Sequence, residues 1–128
     1  MPVQWTVSHP TRLVIAVARG DLHLADIESY LDGVITANAL SYRKIFDTTQ
    51  ATPNLTDDDM MALGARIRAY MTLGEIGPLA IVATTEKSYQ QARMFATLAD
   101  ADRPLKIFRE LHLARQWLDL QASPKPLA

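Results

Sequence analysis

Three short apolar runs, RKIFD (43–47), LAIVAT (79–84) and LKIFR (105–109), are each followed by a stretch in which apolar residues recur every three or four positions. A two-residue period puts side chains alternately on the two faces of a strand, and the longer period lays them along one side of a helix. Strand-then-helix units in series cannot close as hairpins, so they specify parallel strands with helices packed across the sheet. Met60, Leu63, Gly64, Ile67 and Met71 mark the helix after the first run, from about Asp57 to Leu73, ended by Gly74 and Gly77-Pro78. Tyr89, Ala92 and Ala96, widened by Phe95 and Leu98, mark the second, from about Glu86 to Ala99. Leu111, Ala114, Trp117 and Leu118 mark the last. The run LAIVAT is apolar almost throughout, as suits a strand covered on both faces.

Ahead of these units the chain reads differently. VQWTVS (3–8) alternates apolar and polar residues, His9-Pro10 signals a turn, and RLVIAVARG (12–20) is rich in β-branched residues, so the two runs pair as an antiparallel hairpin. Leu24, Ile27, Leu31, Val34 and Ile35 then define a helix over about 24–38, with Asp26 and Glu28 near its positive end. The order is β-β-α-β-α-β-α-β-α. It implies one α/β domain over residues 1–120, with a mostly parallel sheet, an N-terminal antiparallel hairpin and about four helices packed on it. The tail QASPKPLA (121–128) has two prolines and no periodicity, and is expected to be flexible.

Bulk properties exclude several functions. A net charge of −1 over 128 residues gives no electrostatic drive toward nucleic acid. No apolar run approaches the roughly 20 residues that cross a bilayer, so no stable membrane insertion is expected. The N-terminal stretch lacks the basic and apolar blocks of a signal peptide, and a cytoplasmic location is the expectation. With no cysteine, disulfides, thiol nucleophiles and thiolate metal sites are excluded. No cofactor, metal or catalytic set is implied. His9 precedes a turn proline, His23 occupies a helix N-cap position, and His112 begins the last helix; none has a partner acid or nucleophile at a defining spacing.

The runs YRKIFDTT (42–49), NLTDDDM (54–60), GPLAIVATTEKSYQQARMFATL (77–98) and LKIFRELHLARQWL (105–118) together resemble the SpoIIAA-like branch of STAS-type domains, from about Arg12 to Leu118. The resemblance rests mainly on the strand ending AIVA, the helix with Ala92-Arg93-Met94-Phe95 and the last helix ending Trp117-Leu118. It implies a small bacterial protein that acts through protein contact, and it leaves a homodimer open. The related CRAL-TRIO domains bind lipids. In anti-sigma-factor antagonists a strand leads through a loop to a helix whose first turn carries a phosphorylatable serine. The matching position here is about Asp57, beside Thr56, and the usual Asp-Ser-Ser-Gly run is missing. The resemblance therefore implies a regulatory domain without the serine switch.

The candidate partner or ligand surface comprises Asp47, Thr56, Asp57, Thr84, Thr85 and Arg93. Thr56 followed by Asp57, Asp58 and Asp59 reads first as a helix start, because a threonine hydroxyl caps backbone N–H groups and the acids meet the positive dipole end. Successive helical residues diverge by roughly 100°, so the three carboxylates cannot converge on one metal ion. Asp47, Thr84 and Thr85 lie at strand ends, where open α/β sheets bind ligands. Arg93 could lay its stem over the core, or offer its planar fork to a partner. The resulting expectation is a non-enzymatic regulatory or protein-interaction domain with a protein partner still to be identified. The alternative is a CRAL-TRIO-like module for a lipid-like or small apolar ligand, which calls for an internal apolar cavity of roughly several hundred Å³.

Overall fold

A computed structural model of the chain describes residues 2–121. Five strands form one sheet in the order β1-β2-β3-β4-β5. β1 (Val3–Ser8) and β2 (Leu13–Leu22) are antiparallel, as the hairpin reading expects. β2, β3 (Arg43–Pro53), β4 (Leu79–Val82) and β5 (Leu105–Phe108) are parallel. The crossovers carry α1 (Leu24–Thr36), α2 (Asp57–Tyr70) and α3 (Glu86–Leu98), and α4 (Leu111–Asp119) closes the described chain. The expected order is thus observed. Nearly all of the expected tail, residues 122–128, lies outside the described residues.

Strand alternation divides the core. On one face Ala80 and Val82 of β4, with Ile45 of β3, pack against Ala114 and Leu118 of α4. On the other, Leu79 and Ile81 meet Ala92 and Phe95 of α3. Val14, Ala16 and Ala18 of β2 lie beneath Tyr30 and Val34 of α1. β4 has all four residues buried, which is why its sequence shows no alternation.

The α2 helix starts where its capping residues dictate. The Thr56 hydroxyl accepts from the Asp59 N–H at 3.1 Å, and the Asp59 carboxylate accepts from the Thr56 N–H at 3.0 Å. Met60, Leu63 and Ile67 are at most 4 % exposed, and Asp58 is on the surface. Arg66 ties α2 to α1 through Glu28 at 2.9 Å and Asp32 at 3.0 Å.

Three expectations are corrected. β3 does not stop at Asp47 but continues to Pro53, since Gln50–Pro53 pair with Arg19–Leu22 after a one-residue bulge. Thr48, Thr49 and Thr52 are therefore strand residues, as their β-branched side chains favour. The second helix ends at Tyr70, so Tyr70 is buried and Met71 is exposed. Leu111 is also exposed, because α4 turns only Ala114 and Leu118 fully onto the sheet, with Trp117 half-buried.

The α2–α3 contact is close at Gly64. A Cβ there would stand 2.5 Å from the Leu98 carbonyl oxygen. Alanine gains about 1 kcal/mol over glycine in helix propensity, but overpacking costs about 1–3 kcal/mol. The clash should win: Gly64→Ala is expected to lower stability by up to about 2 kcal/mol in urea unfolding, where propensity alone would raise it.

Candidate functional site

The polar side chains at the β3 bulge and ahead of α3 are taken up by nearby backbone groups. The buried Asp47 carboxylate accepts from the Thr49 N–H at 2.9 Å across the bulge, and the Thr48 hydroxyl donates to the Val82 carbonyl at 2.7 Å. The Thr85 hydroxyl accepts from the Ser88 N–H at 3.1 Å and so caps α3, while Thr84 is exposed. Arg109 lies 4.4 Å from the Tyr89 ring centroid and pairs with Glu86 at 3.4 Å. The Gln90 amide and then Arg109 hold the Glu86 pKa below its ordinary value. Arg109 thus places a cation over the Tyr89 ring.

Asp57 and Arg93 come together in a different place. They line an open groove between α2 and α3, with Met61, Gln90, Met94, Thr97 and Leu98. Met61 is 60 % exposed and Met94 38 %. Thr56 lies at the head of α2, its hydroxyl engaged by the cap. The six sequence candidates therefore separate: Asp57 and Arg93 share the groove, Thr56 caps α2, Asp47 sits at the bulge within β3, and Thr84 and Thr85 lie between β4 and α3.

The histidines stand apart. His9 Nδ1 shares a 2.7 Å hydrogen bond with the Tyr42 hydroxyl, His23 precedes α1, and His112 is exposed 3.7 Å from Glu110. Among the described residues no three of the His, Asp and Glu side chains gather as metal ligands.

A third feature escaped sequence reasoning. Between the sheet and helices α1–α3 lies a cavity of about 100 Å³. Its lining is mostly apolar, yet Lys44, Arg103, Tyr30 and Gln91 also reach it. Lys44 is 4 % exposed and donates to the carbonyls of Leu40 and Tyr42, the latter at 2.7 Å. The Tyr30 hydroxyl, Arg103 Nε and Gln91 Oε1 are buried without a hydrogen-bond partner. Burial, reinforced by the Arg103 charge, lowers the Lys44 pKa to about 7. Burial likewise lowers that of Arg103 to about 10 and raises that of Tyr30. A signal existed for Lys44: the strand period puts it on the face of Phe46, opposite Ile45. Arg103 sits in a loop ahead of Pro104 and carries no such signal.

This architecture defines a class: a small open α/β sheet flanked by helices, with an exposed groove beside the first turn of the helix after its central strand. No protein-family model and no curated protein matches the sequence. Solved structures similar to this chain include two that cover 91 % of it. One is an uncharacterised protein of the DUF3478 family from Shewanella loihica PV-4 with a SpoIIAA-like fold, at TM-score 0.60 and 18 % identity over 91 % of this chain and 93 % of that one. The other is an anti-sigma factor antagonist from Mycobacterium paratuberculosis, at TM-score 0.58 and 16 % identity over 91 % and 94 %. The chain has the SpoIIAA-like fold that the sequence resemblance implies. Among the described residues no helix is long and apolar enough to cross a membrane.

Two measurements follow from this geometry. Thr56→Ala removes the α2 cap and should cost about 1 kcal/mol of stability in thermal or urea unfolding, with Asp57→Ser costing less. Lys44 should make stability pH-dependent. Its folded pKa, about 7, lies below the unfolded 10.5, so between these values the unfolded chain binds more protons and stability rises with pH. Among the described residues, Tyr30 and Tyr70 from the helices and Arg103 ahead of β5 are the other titratable groups lining its cavity, and no carboxylate does. The melting temperature should climb from about pH 7 to about pH 9, and that rise should shrink in Lys44→Met.

Proposed function

We propose that the chain is a non-enzymatic regulatory domain of the STAS type that docks a protein partner on the α2–α3 groove and works without serine phosphorylation. One observation carries the reading. Met61 and Met94 are both exposed and line one groove that Asp57 and Arg93 also line. Flexible, polarisable methionines suit a surface that adapts to a partner's apolar side chain. Charges flanking an apolar centre supply orientation and selectivity. The anti-sigma factor antagonist among the similar structures adds support for a protein partner.

Asp57 stands where the resemblance expects a phosphorylatable serine. A carboxylate carries about one negative charge, against about 1.5 to 2 and three acceptor oxygens on a phosphoserine. It is a fixed, weaker charge, so docking on this surface is constitutive. Thr56 is the neighbouring hydroxyl, and its use in the cap opposes its use as a phosphoacceptor.

Affinity purification read by native mass spectrometry tests the reading. Wild type and Met71→Asp, an exposed methionine outside the groove, should retain the same partner in stoichiometric amount. Met61→Asp and Arg93→Glu should lose it by about tenfold or more, which is 1.4 kcal/mol or more, with melting temperatures unchanged. Arg93→Lys distinguishes the planar fork from charge alone. Equal retention by all variants would overturn the groove, and stoichiometric label on Thr56 after incubation with a serine/threonine kinase and ATP would overturn the switch-free reading.

A further inference from the structure

The cavity under α1–α3 is built with a cationic end. Its floor is β3, whose two-residue period turns Lys44, Phe46 and Thr48 inward in succession. The register pairs Lys44 with Leu79 and Leu79 with Leu105, so Arg103, two residues before Leu105, joins Lys44 at the same end of the sheet. Thr48, Ser88 and Gln91 line the other end, about 13 Å away along the strand.

Among the described residues no carboxylate lines this cavity, although two basic side chains do. Buried charges in proteins are ordinarily paired, because removing an ion from water without a counter-charge costs several kcal/mol. The hydrogen-bond account is also incomplete. An ammonium group has three donors, and carbonyls take two of those on Lys44, leaving one. Arg103 Nε and the Tyr30 hydroxyl add two more donors without acceptors. Three donors without acceptors, on two basic side chains and a tyrosine, face a space whose walls are otherwise mainly carbon.

We propose that this cavity binds a small aliphatic monocarboxylate of about five to eight carbons, its carboxylate received by Lys44 and Arg103 and its tail laid against Phe46, Leu63 and Ile67. The length follows from the volume. At roughly 10–15 Å³ per water-sized group, 100 Å³ holds about seven to ten non-hydrogen atoms. A membrane lipid is far larger, since even drug-sized sites measure roughly 300–1,000 Å³. Inorganic phosphate would bring more charge and more acceptors than three donors satisfy, and would leave the apolar length empty. This site lies beneath α2 and α3, separate from the groove on their outer surface, and stands independently of the partner reading.

Calorimetric titration of the wild-type chain at about pH 7 with hexanoate, hexanol, acetate and inorganic phosphate tests it. Hexanoate should saturate one site. Hexanol, which lacks the charge, and acetate and phosphate, which lack the tail, should each bind about tenfold or more weakly, the first through lost charge-assisted hydrogen bonds and the others through lost apolar burial. Ala92→Phe, which fills the cavity, should abolish binding, and Arg103→Met should weaken it about tenfold or more. Should either variant fail to fold, wild-type NMR decides: hexanoate should raise the pKa of the Lys44 ammonium and hexanol should not. Absence of hexanoate binding, equal binding of hexanol or phosphate, an unmoved Lys44 pKa, or undiminished binding by folded Ala92→Phe would each overturn the proposal.

Discussion

The four residues of β4 have no solvent on either face, and the layers of the molecule follow from that requirement. Leu79 and Ile81 need one cover and Ala80 and Val82 another, so α3 and α4 must lie on opposite sides of the sheet. With α4 committed to β3–β5, α1 and α2 must cover the face that α3 shares. Small residues make the arrangement close: Ala80, Ala92 and Ala114 are all at most 7 % exposed and let the helices approach the strands. Burying a strand on both faces removes more apolar area per residue than a half-buried one, at about 25 cal/mol per Å², so a four-residue strand suffices here.

Most of this frame was legible in the residues. Element type and order followed from period, because a core face must repeat at two or at about 3.6 residues whatever its partners. The α2 start was legible too, since a Thr hydroxyl and an acid three residues on satisfy the same backbone groups in any context. The misreadings share a cause: each depended on a partner remote in sequence. Thr48 to Pro53 look like a loop until β2 supplies their hydrogen bonds. Met71 and Leu111 fit helical periods, but the helix ends and the reach of the sheet leave them outside. Of the site candidates, only Asp57 and Arg93 meet in the groove.

The interior and the outer surface near α2 and α3 have opposite chemistry. Outside, the groove combines exposed methionines with one acid and one base, a surface of low electrostatic commitment. Inside, the same two helices roof a cavity where burial lowers the pKa values of Lys44 and Arg103. Dry cores seldom carry such groups, since the low dielectric that strengthens a completed polar network also raises the cost of an incomplete one. The unpartnered Tyr30 hydroxyl, held between Trp5 and Phe46 by edge-on ring contacts, belongs to that incomplete set.

The extension of β3 past Asp47 has a consequence for solubility. β4 pairs with β3 only over Lys44–Asp47, so residues 50–53 have β2 on one flank and no strand of the sheet on the other. An open flank of this kind is a template for another chain's backbone. Here the bulge between Asp47 and Gln50 twists the ribbon away from a flat register, and Pro53 removes a donor at its end. Gln91 of α3 then donates to the Leu55 carbonyl, pinning the exit from the ribbon beneath the helix. The two-strand arm can therefore project beyond the body of the sheet without offering a second molecule a straight edge to extend.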